Sequence, residues 1–286
     1  MTDFGVFMFT TDRSMQPAAF AAAAETRDFE SVFVPEHTHA TVKRDPPGIG
    51  AALPDMYWRL HDPFIALTAA AAATERIKLG TAISLITEHD PITLAKQIAS
   101  LDQLSNGRLI LGIGAGWNAP ELEDHGVPHR RRWSALREWV LAMREIWTSD
   151  EAEFHGTYVD FDPVQAWPRP IQPGGPPILL GANANSVHDR VVDYGDGWLP
   201  LGGEHPMAGR LSLSEGVERL KATADRAGRS WDTVNLTVLF QGEDEAQLRK
   251  IVEAGFHRVI FWMDDPSDEE AVAQMDRFAE LARRLS

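Results

Sequence analysis

The stretch from Ile77 to Asn118 constrains the fold more than any other part of the sequence. It holds an apolar strand (Ile77–Leu85), a helix that begins at Asp90-Pro91, and a second apolar strand that begins at Leu109. Two strands joined by a helix within about forty residues form a right-handed parallel unit. The second strand runs into Gly112-Ile-Gly-Ala-Gly116, where the backbone can approach a flat or phosphorylated ligand. A parallel sheet with a ligand site at the carboxyl ends of its strands is therefore expected.

The same alternation of strand and helix runs through the whole chain. Strands are expected at Phe4–Phe9, Ser31–Pro35, Ile77–Leu85, Leu109–Ile113, Ile178–Leu180, Trp198–Pro200, Val234–Phe240 and Arg258–Met263. Helices are expected at Pro17–Phe29, Pro63–Thr74, Pro91–Leu104, Trp133–Trp147, Ser186–Tyr194, Leu213–Ala227, Glu245–Ala254 and Asp268–Leu285. Eight such units in 286 residues predict an α/β fold of the (β/α)8 TIM-barrel type, with an open doubly wound sheet as the structural alternative.

Two segments break the alternation and are expected to be insertions in the barrel. The first, Thr38–His61, is a long loop after the second strand, and the second, Phe154–Pro177, precedes the fifth strand and is expected to hold a short hairpin. Long ordered loops at the top of a barrel are more often functional than idle. Neither a repeat nor a linker is visible, so residues 1–286 are expected to form a single domain.

The acidic balance of the chain argues against a general nucleic-acid or anionic-membrane partner. Lys and Arg number 27 against 42 Asp and Glu, which gives a formal net charge of −15. Apolar residues make up 44% of the chain, and no apolar run reaches the roughly 20 residues that span a bilayer. The sequence begins without a basic segment ahead of an apolar one and contains no cysteine, so a cytoplasmic protein without signal peptide or disulfides is expected.

Six segments in order along the chain form a recognisable pattern. They are Ser31-Val-Phe-Val-Pro-Glu36-His37, Leu79-Gly-Thr-Ala-Ile-Ser84, Gln97-Ile-Ala-Ser-Leu-Asp-Gln-Leu-Ser-Asn-Gly-Arg108, Leu111-Gly-Ile-Gly-Ala-Gly-Trp-Asn118, Pro176-Pro-Ile-Leu-Leu-Gly-Ala-Asn-Ala184 and Gly195-Asp-Gly-Trp198. Each alone is a weak signal, since a single glycine-rich loop matches many folds. Together they resemble the luciferase-like monooxygenase family, and most closely its deazaflavin (coenzyme F420) branch.

Glu36 and His37 are the candidate catalytic residues. They directly follow an apolar strand, so in a barrel they face the top of the pore. Members of the branch carry an acidic residue and a histidine here. The resemblance therefore implies a cofactor contact at Glu36, and it places His37 over the reactive carbon of the ring as proton donor or acceptor during hydride transfer. A hydrogen-bonded rim without a chemical role is the structural alternative.

The resemblance also implies cofactor contacts at the third and fourth strands. Ala82-Ile83 matches the place where the family has a bulge with a non-proline cis peptide behind the flavin ring, although the residues alone also fit an ordinary core strand. Gly114, Ala115 and Gly116 match the loop that lies along the ribityl chain and phosphate. Simple turn glycines are the alternative interpretation of this loop.

Further ligand contacts are expected after the fifth strand and in two tryptophans. Gly181, Ala182 and Asn183 precede a short helix, whose N-terminal N–H groups suit a phosphate, and the resemblance assigns the cofactor phosphate to this loop. Trp117 stands where sugar-phosphate dehydrogenases of the family carry an acidic glutamate, so an apolar or aromatic substrate is favoured. Trp58, in the long loop, is a second candidate for the substrate pocket.

The resemblance leaves two cofactors open, coenzyme F420 and FMN. A deazaflavin transfers a hydride and would make the protein a dehydrogenase or reductase, whereas FMN members insert oxygen with reduced flavin from a partner reductase. The Glu36-His37 pair and a supply of basic residues for a polyglutamate tail favour F420. These basic residues are Lys43, Arg44, Arg130, Arg131 and Arg132. The run His129–Arg132 also fits the solvated start of the following helix.

Two other kinds of protein remain as alternatives. A metal-dependent barrel hydrolase would use His37 and His39 with an aspartate from the last strand, Asp264 or Asp265, but no further histidine occurs at the fifth or sixth strand before His205. A flavin-binding subunit without turnover is the other alternative. A homodimer that pairs through helices beside the second and third strands is expected from the resemblance, with a small molecule as substrate.

Overall fold

Parallel strands at eight positions close into a barrel in the computed structural model. The structure describes residues 2–42, 53–206, 208, 212–263 and 267–285. The strands are β1 (Asp3–Phe7), β2 (Ser31–Val34), β3 (Lys78–Ser84), β4 (Leu109–Ile113), β5 (Ala152–His155), β6 (Asp160–Val164), β7 (Ile178–Leu180), β8 (Gly197–Trp198), β9 (Leu201–Gly203), β10 (Asn235–Gln241) and β11 (Arg258–Trp262). The order β11-β1-β2-β3-β4-β7-β8-β10 is closed by the pairing of β10 with β11, and β8 and β9 share one of the eight positions. The prediction of a (β/α)8 barrel is confirmed.

The helices follow the strands as the alternation predicts. They are α1 (Pro17–Glu25), α2 (Pro63–Ala72), α3 (Pro91–Leu104), α4 (Ala119–Asp124), α5 (Arg132–Thr148), α6 (Val187–Tyr194), α7 (Leu213–Arg226), α8 (Glu245–Glu253) and α9 (Asp268–Leu285). Asp-Pro pairs start α2 and α3, where the carboxylates of Asp62 and Asp90 accept N–H bonds from Ile65 and Thr93. The short α4 has no counterpart among the predicted helices.

Two differences between predicted and observed elements have a clear local cause. Helix α1 ends at Glu25 rather than at Phe29, because Asp28 adopts a left-handed conformation with φ of 62°. The sixth strand, expected at Trp198–Pro200, is divided into β8 and β9, which both pair with β10. Pro200 lies between them and has no N–H to donate, so an unbroken strand was the wrong expectation.

The core has an inner and an outer part, as a barrel requires. Inside the barrel lie Phe7, Phe9, Phe33, Ala82, Ile110, Leu179, Leu199, Leu239 and Ile260. Residues that alternate with them, such as Phe4, Val6 and Met8 around β1, pack outward against the helices. This filling closes the pore below the carboxyl ends of the strands, where a ligand of a barrel of this kind is expected to bind.

Both insertions are present. The described part of the first contains a helical turn at Asp55–Trp58 and a bridge between Thr11 and Leu60 that fastens it to the end of β1. In the second, β5 and β6 form the predicted hairpin, pairing antiparallel. Among the helices in the described ranges, none is long and apolar enough to cross a membrane.

Candidate active site

A cavity of about 410 Å³ opens at the carboxyl ends of the barrel strands. It is lined by Phe7, Phe9, Pro35, Glu36, His37, Tyr57, Ala82, Ile83, Leu85, Ala115, Gly116, Trp117, Arg132, Trp133, Gly181, Ala182, Asn183, Ala184, Leu199, Leu201, His205, Leu239 and Trp262. Eleven residues predicted from the sequence are therefore brought together here: Glu36, His37, Ala82, Ile83, Ala115, Gly116, Trp117, Arg132, Gly181, Ala182 and Asn183. Gly114 and Trp58 are not among the lining residues.

Gly114 contacts a side chain of the site instead of the cavity. A Cβ atom at this position would lie 1.8 Å from Cδ1 of Ile83, and one at Gly181 would lie 2.5 Å from Cγ2 of the same side chain. Both glycines therefore make room for Ile83. The peptide between Ala82 and Ile83 is cis, and the register against β4 shifts between Thr81 and Ser84. The bulge and cis peptide implied by the resemblance are thus both present.

Tyr57, not Trp58, turns toward the cavity from the long loop. Its ring centroid lies 5.0 Å from that of His37, 5.3 Å from that of Phe9 and 6.2 Å from that of Trp117. Trp58 is 46% exposed, since successive residues of a helical turn point in different directions. The aromatic contribution of this loop was predicted, but it comes from the neighbouring residue.

His37 is fixed at the cavity wall by a buried carboxylate. Its Nδ1 lies 2.7 Å from Oε2 of Glu121, and the two side chains are 9% and 0% exposed. Glu121 also accepts bonds from the backbone N–H of Thr38 at 2.8 Å and from Nδ2 of Asn118 at 3.1 Å. Burial raises the pKa of Glu121, but the hydrogen bond and charge of His37, together with the backbone N–H bonds of Thr38 and His39, outweigh it, and the pKa stays below the ordinary value.

Glu36 leaves the same strand but is engaged on its other side. Its carboxylate accepts bonds from Oγ of Ser84 at 2.6 Å, from the N–H of Leu85 at 2.7 Å, and from Nε2 of His89 at 2.5 Å. Burial lowers the pKa of His89, but the hydrogen bond and charge of Glu36 and the charge of Asp62 together outweigh it and give a net increase. Glu36 therefore ties β2 to the end of β3, and a direct role in catalysis remains a prediction.

A third buried carboxyl group, that of Glu88, keeps its proton. Its side chain is 1% exposed, and Oε2 lies 3.1 Å from Oγ1 of Thr38 and 3.6 Å from Nε2 of His125. Burial and the negative charges of Glu121 and Glu36 raise the pKa of Glu88 to about 9. The cluster thus combines one acid with a raised pKa, Glu88, and two acidic side chains, Glu36 and Glu121, that each have a histidine partner.

The loop after β7 is held firmly by its neighbours. The side-chain amide of Asn183 donates to the carbonyl of Leu201 at 2.8 Å and accepts from its N–H at 2.9 Å. Nε1 of Trp198 donates to the carbonyl of Ala182 at 2.8 Å. Asn183 therefore lines the cavity, while its side chain is hydrogen-bonded to Leu201 of β9.

Two arginines give one edge of the cavity a positive charge. Arg132 lines the cavity, and the guanidinium of Arg190 stacks at 4.2 Å over the ring of Trp133. Burial and the nearby charge of Arg190 both lower the pKa of Arg132. The contribution of Arg190 reflects a second positive charge close to Arg132, in a protein that is acidic as a whole.

Several site residues were not predicted from the sequence. Tyr57, Trp133, Trp262 and His205 line the cavity, and Glu121 supports it from behind. Glu121 lies in α4, whose six residues are too few to show a helical period. An acidic residue shortly after the glycine loop was the only signal that could have identified it.

The described residues contain no group of three or more His, Cys, Asp or Glu side chains able to hold a metal ion. Nε2 of His39 lies 3.2 Å from Oδ2 of Asp124, and His205 lies beside the ring of Trp262. Asp264 and Asp265, the aspartates of the metal alternative, lie outside the described residues. The described parts of the chain therefore provide no set of metal ligands for a metal-dependent hydrolase.

Sequence comparison identifies relatives along nearly the whole chain. A profile of the luciferase-like monooxygenase family matches residues 2–284. An uncharacterized protein of Mycobacterium tuberculosis is 41% identical over 280 residues, which cover 96% of this chain and 97% of that protein. The F420-dependent glucose-6-phosphate dehydrogenase of Amycolatopsis mediterranei is 28% identical over 239 residues, which cover 80% of this chain and 66% of that protein. The FMNH2-dependent dimethylsulfone monooxygenase of Pseudomonas fluorescens is also 28% identical, covering 79% and 58%.

Solved structures share the barrel at lower identity. A monooxygenase from Streptomyces bottropensis superposes with a TM-score of 0.77 at 19% identity, covering 99% of both chains. The coenzyme F420 dependent tetrahydromethanopterin reductase from Methanopyrus kandleri gives a TM-score of 0.75 at 17% identity, covering 100% of this chain and 99% of that one. These structural similarities confirm the fold, and the match to the family profile identifies the family. The chain belongs to the luciferase-like monooxygenase family.

Proposed function

We propose that the chain is an F420-dependent oxidoreductase that transfers a hydride to or from a small organic molecule. The observation that carries this proposal is His37, which lines the cavity while the buried Glu121 holds its Nδ1 at 2.7 Å. A histidine fixed in this way can give or take a proton beside a cofactor ring. Relatives named F420-dependent glucose-6-phosphate dehydrogenase support this cofactor chemistry.

The residues around the cavity fit a flat, phosphorylated cofactor. Ala82, Ile83 and Ala115 offer apolar contact, and Gly116, at φ of 75°, has no heavy atom closer than 3.8 Å to where its Cβ would be. The loop Gly181–Ala184 leads to the start of α6, where N–H groups suit a phosphate. A bound deazaflavin would supply the hydride, which leaves the proton to the residues of this chain.

Positive charge at the cavity edge supports an anionic ligand. Arg132 lines the cavity beside Arg190, and Arg130 and Arg131 are exposed in the turn that precedes α5. These side chains could bind the phosphate or the carboxylates of a polyglutamate tail. Lys43 and Arg44, the other predicted tail contacts, lie outside the described residues.

The proposed task of His37 is to balance the proton that accompanies hydride transfer. For a substrate that is reduced, His37 donates a proton to the substrate atom that becomes basic as the neighbouring atom gains the hydride. For a substrate that is oxidised, it accepts the proton that leaves. The rings of Tyr57 and Trp117 flank the imidazole and give it apolar surroundings on this side of the cavity.

The cavity wall favours an apolar or aromatic substrate. Trp117, Tyr57 and Trp262 line it, together with Phe7 and Phe9. Such surfaces bind flat apolar molecules, whereas a sugar phosphate needs an acidic and polar environment. We therefore place the substrate among small carbonyl compounds, imines or conjugated alkenes with apolar substituents.

An FMN-dependent monooxygenase is the second candidate. The relative named FMNH2-dependent dimethylsulfone monooxygenase is as similar as the F420-dependent one, at 28% identity. In that case the same cavity would bind reduced flavin delivered by a reductase, and the product would carry an oxygen atom.

Turnover with the two cofactors separates the candidates. Reduced F420 is incubated without oxygen with the protein and a panel of carbonyl compounds, imines and conjugated alkenes, and FMNH2 is tested in parallel with oxygen. We expect oxidation of F420 that requires both protein and acceptor. Oxygenated product with FMNH2, and no turnover with F420 on any acceptor, would reject the proposal in favour of the monooxygenase.

We further propose a homodimer of single-domain chains in the cytoplasm. The exposed apolar side chains of Ile65 on α2 and Leu104 on α3, which are 72% and 69% exposed, lie on the helices expected at the interface. Sedimentation analysis of the wild type and of Leu104→Glu tests this. A dimer that dissociates in the variant agrees with it, and a monomeric wild type contradicts it.

A further inference from the structure

His37 presents only one of its two ring nitrogens to the cavity. Nδ1 is engaged by Oε2 of Glu121 at 2.7 Å, and the ring lies against Tyr57 and Trp117, with centroid distances of 5.0 and 5.7 Å. Since His37 lines the cavity, Nε2 is the nitrogen left to face a ligand. The tautomer of His37 therefore depends on what Glu121 does to Nδ1.

Glu121 is itself held in place from several sides. Besides His37, its carboxylate accepts from the N–H of Thr38 at 2.8 Å, from Nδ2 of Asn118 at 3.1 Å and from Oγ1 of Thr38 at 3.4 Å. The side chain is fully buried and does not belong to the cavity lining. Bonds of this kind fix the orientation of a carboxylate, so Glu121 can fix the ring in turn.

The neighbouring acids leave Glu121 as an ionised partner. Glu36 is paired with His89 at 2.5 Å, whereas Glu88 lies 3.6 Å from Nε2 of His125 and its pKa is raised to about 9. Three ionised carboxylates so close together would repel one another strongly. The pKa of Glu88 is raised and that of Glu121 is lowered, and it is Glu121 that lies 2.7 Å from Nδ1 of His37.

We propose that Glu121 is the positioning residue of His37: it binds the proton on Nδ1 and thereby reserves Nε2 for proton exchange with the substrate. The pairing of Glu121 with His37 does not depend on the proposed function, whereas the transfer of the Nε2 proton to a substrate rests on it. In a reduction, Nε2 first takes up a proton from solvent; the Nε2–H bond then breaks and this proton joins the substrate atom next to the carbon that gains the hydride from the proposed cofactor. Nδ1 keeps its proton throughout, bonded to Glu121.

The tautomer can be measured on the protein without cofactor. Nitrogen-15 spectra of the labelled histidines, recorded at about pH 8, distinguish a protonated Nδ1 from a protonated Nε2. The chain has ten histidines, and the spectrum of His37→Gln assigns the signals of His37 by difference. We expect the Nδ1–H form to dominate in the wild type.

Two variants of similar buried acids form the test and its control. Glu121→Leu removes the acceptor, and we expect the ratio of Nδ1–H to Nε2–H forms to fall about tenfold or more, as loss of a charge-assisted hydrogen bond implies. Glu88→Gln removes only a proton-bearing group, so the ratio should stay as in the wild type. An unchanged ratio in Glu121→Leu, or an equal fall in Glu88→Gln, would overturn the proposal.

A second measurement keeps the test decisive if Glu121→Leu fails to fold. Carboxyl carbon-13 titration of Glu121 in His37→Ala should show a pKa above that of the wild type, since the partner that lowers it is gone. The other groups that face Glu121 remain in both proteins: the backbone N–H groups of Thr38 and His39, the amide of Asn118, Glu88, Glu36 and His125. An unchanged pKa would refute the pairing.

Failure of this inference can be told from failure of the proposed function. Because Glu121 lies behind His37, Glu121→Gln should bind F420 as tightly as the wild type does, while turnover falls. If the wild type shows the Nδ1–H tautomer but does not bind F420, the positioning role of Glu121 stands and the proposed cofactor is wrong.

Discussion

Two adjacent residues at the end of β2 serve different sides of the site. Glu36 bonds to Ser84, Leu85 and His89, while His37 faces the cavity and bonds to Glu121. Their place at a strand end could be predicted, because it depends on the local apolar pattern. Their partners could not, since Ser84 and Glu121 lie 48 and 84 residues further along the chain.

Replacement of His37 tests its chemical role. In His37→Ala the cavity gains space but loses its acid–base group, so turnover should fall at least about tenfold. Affinity for the cofactor, measured by fluorescence, should change little, because the other lining residues remain. Wild-type turnover in this variant would remove His37 from the mechanism.

Replacement of Glu88 tests the buried neutral acid. The folded-state pKa of about 9 lies above the ordinary 4.5, so the folded chain holds a proton that the unfolded chain releases. Stability from this group is therefore complete below pH 4.5 and decreases as pH rises toward 9. Glu88→Gln should gain stability relative to wild type across this window, by a few kcal/mol at about pH 8.

Urea unfolding at about pH 5 and pH 8 measures this difference. The advantage of Glu88→Gln should be small at the lower pH and clear at the higher one. Because all other titrating groups are shared by the two proteins, their contributions cancel in the comparison. An equal difference at both pH values would show that Glu88 titrates normally.

At the scale of elements, the end of β3 determines the shape of the site. Ala82 and Ile83 lie within the register shift of β3 and line the cavity, and Gly114 and Gly181 accommodate the side chain of Ile83. Local propensity predicts an ordinary strand here, so only the resemblance indicated the bulge. The short α4 was missed for a related reason, because a few residues cannot show a period.

A double-mutant cycle tests the contact between Gly114 and Ile83. Gly114→Ala should destabilise the protein by about 1–3 kcal/mol, because its Cβ would meet Cδ1 of Ile83 at 1.8 Å. Ile83→Val removes that atom, so the double variant should recover most of the loss in thermal unfolding. Additive effects would mean that the two residues do not compete for space.

At the scale of the molecule, the barrel follows from a repeated and strong signal. Eight strand–helix units determine the architecture, and the Asp-Pro pairs correctly predicted where α2 and α3 begin. The clustering of aromatic side chains over the cavity depends on closure of the barrel. Trp262 from β11 and Phe7 from β1 are therefore neighbours that no local pattern indicates.

The charge distribution of the whole molecule gives a further prediction. In a chain of net charge −15, the positive edge at Arg132 should attract an anionic cofactor. Arg132→Ala should weaken F420 binding about tenfold at low salt and less at high salt, because ions screen the attraction. Arg277→Ala, on α9 and bonded to Glu243, serves as control and should leave affinity unchanged.

Fluorescence titration of the purified protein with coenzyme F420, run in parallel with FMN, tests the central claim most directly. We predict micromolar or tighter binding of F420 and much weaker binding of FMN. Tight binding of FMN with none of F420 would contradict the proposed hydride transfer and favour a monooxygenase. Binding of neither would show that the cavity at the top of the barrel serves another ligand.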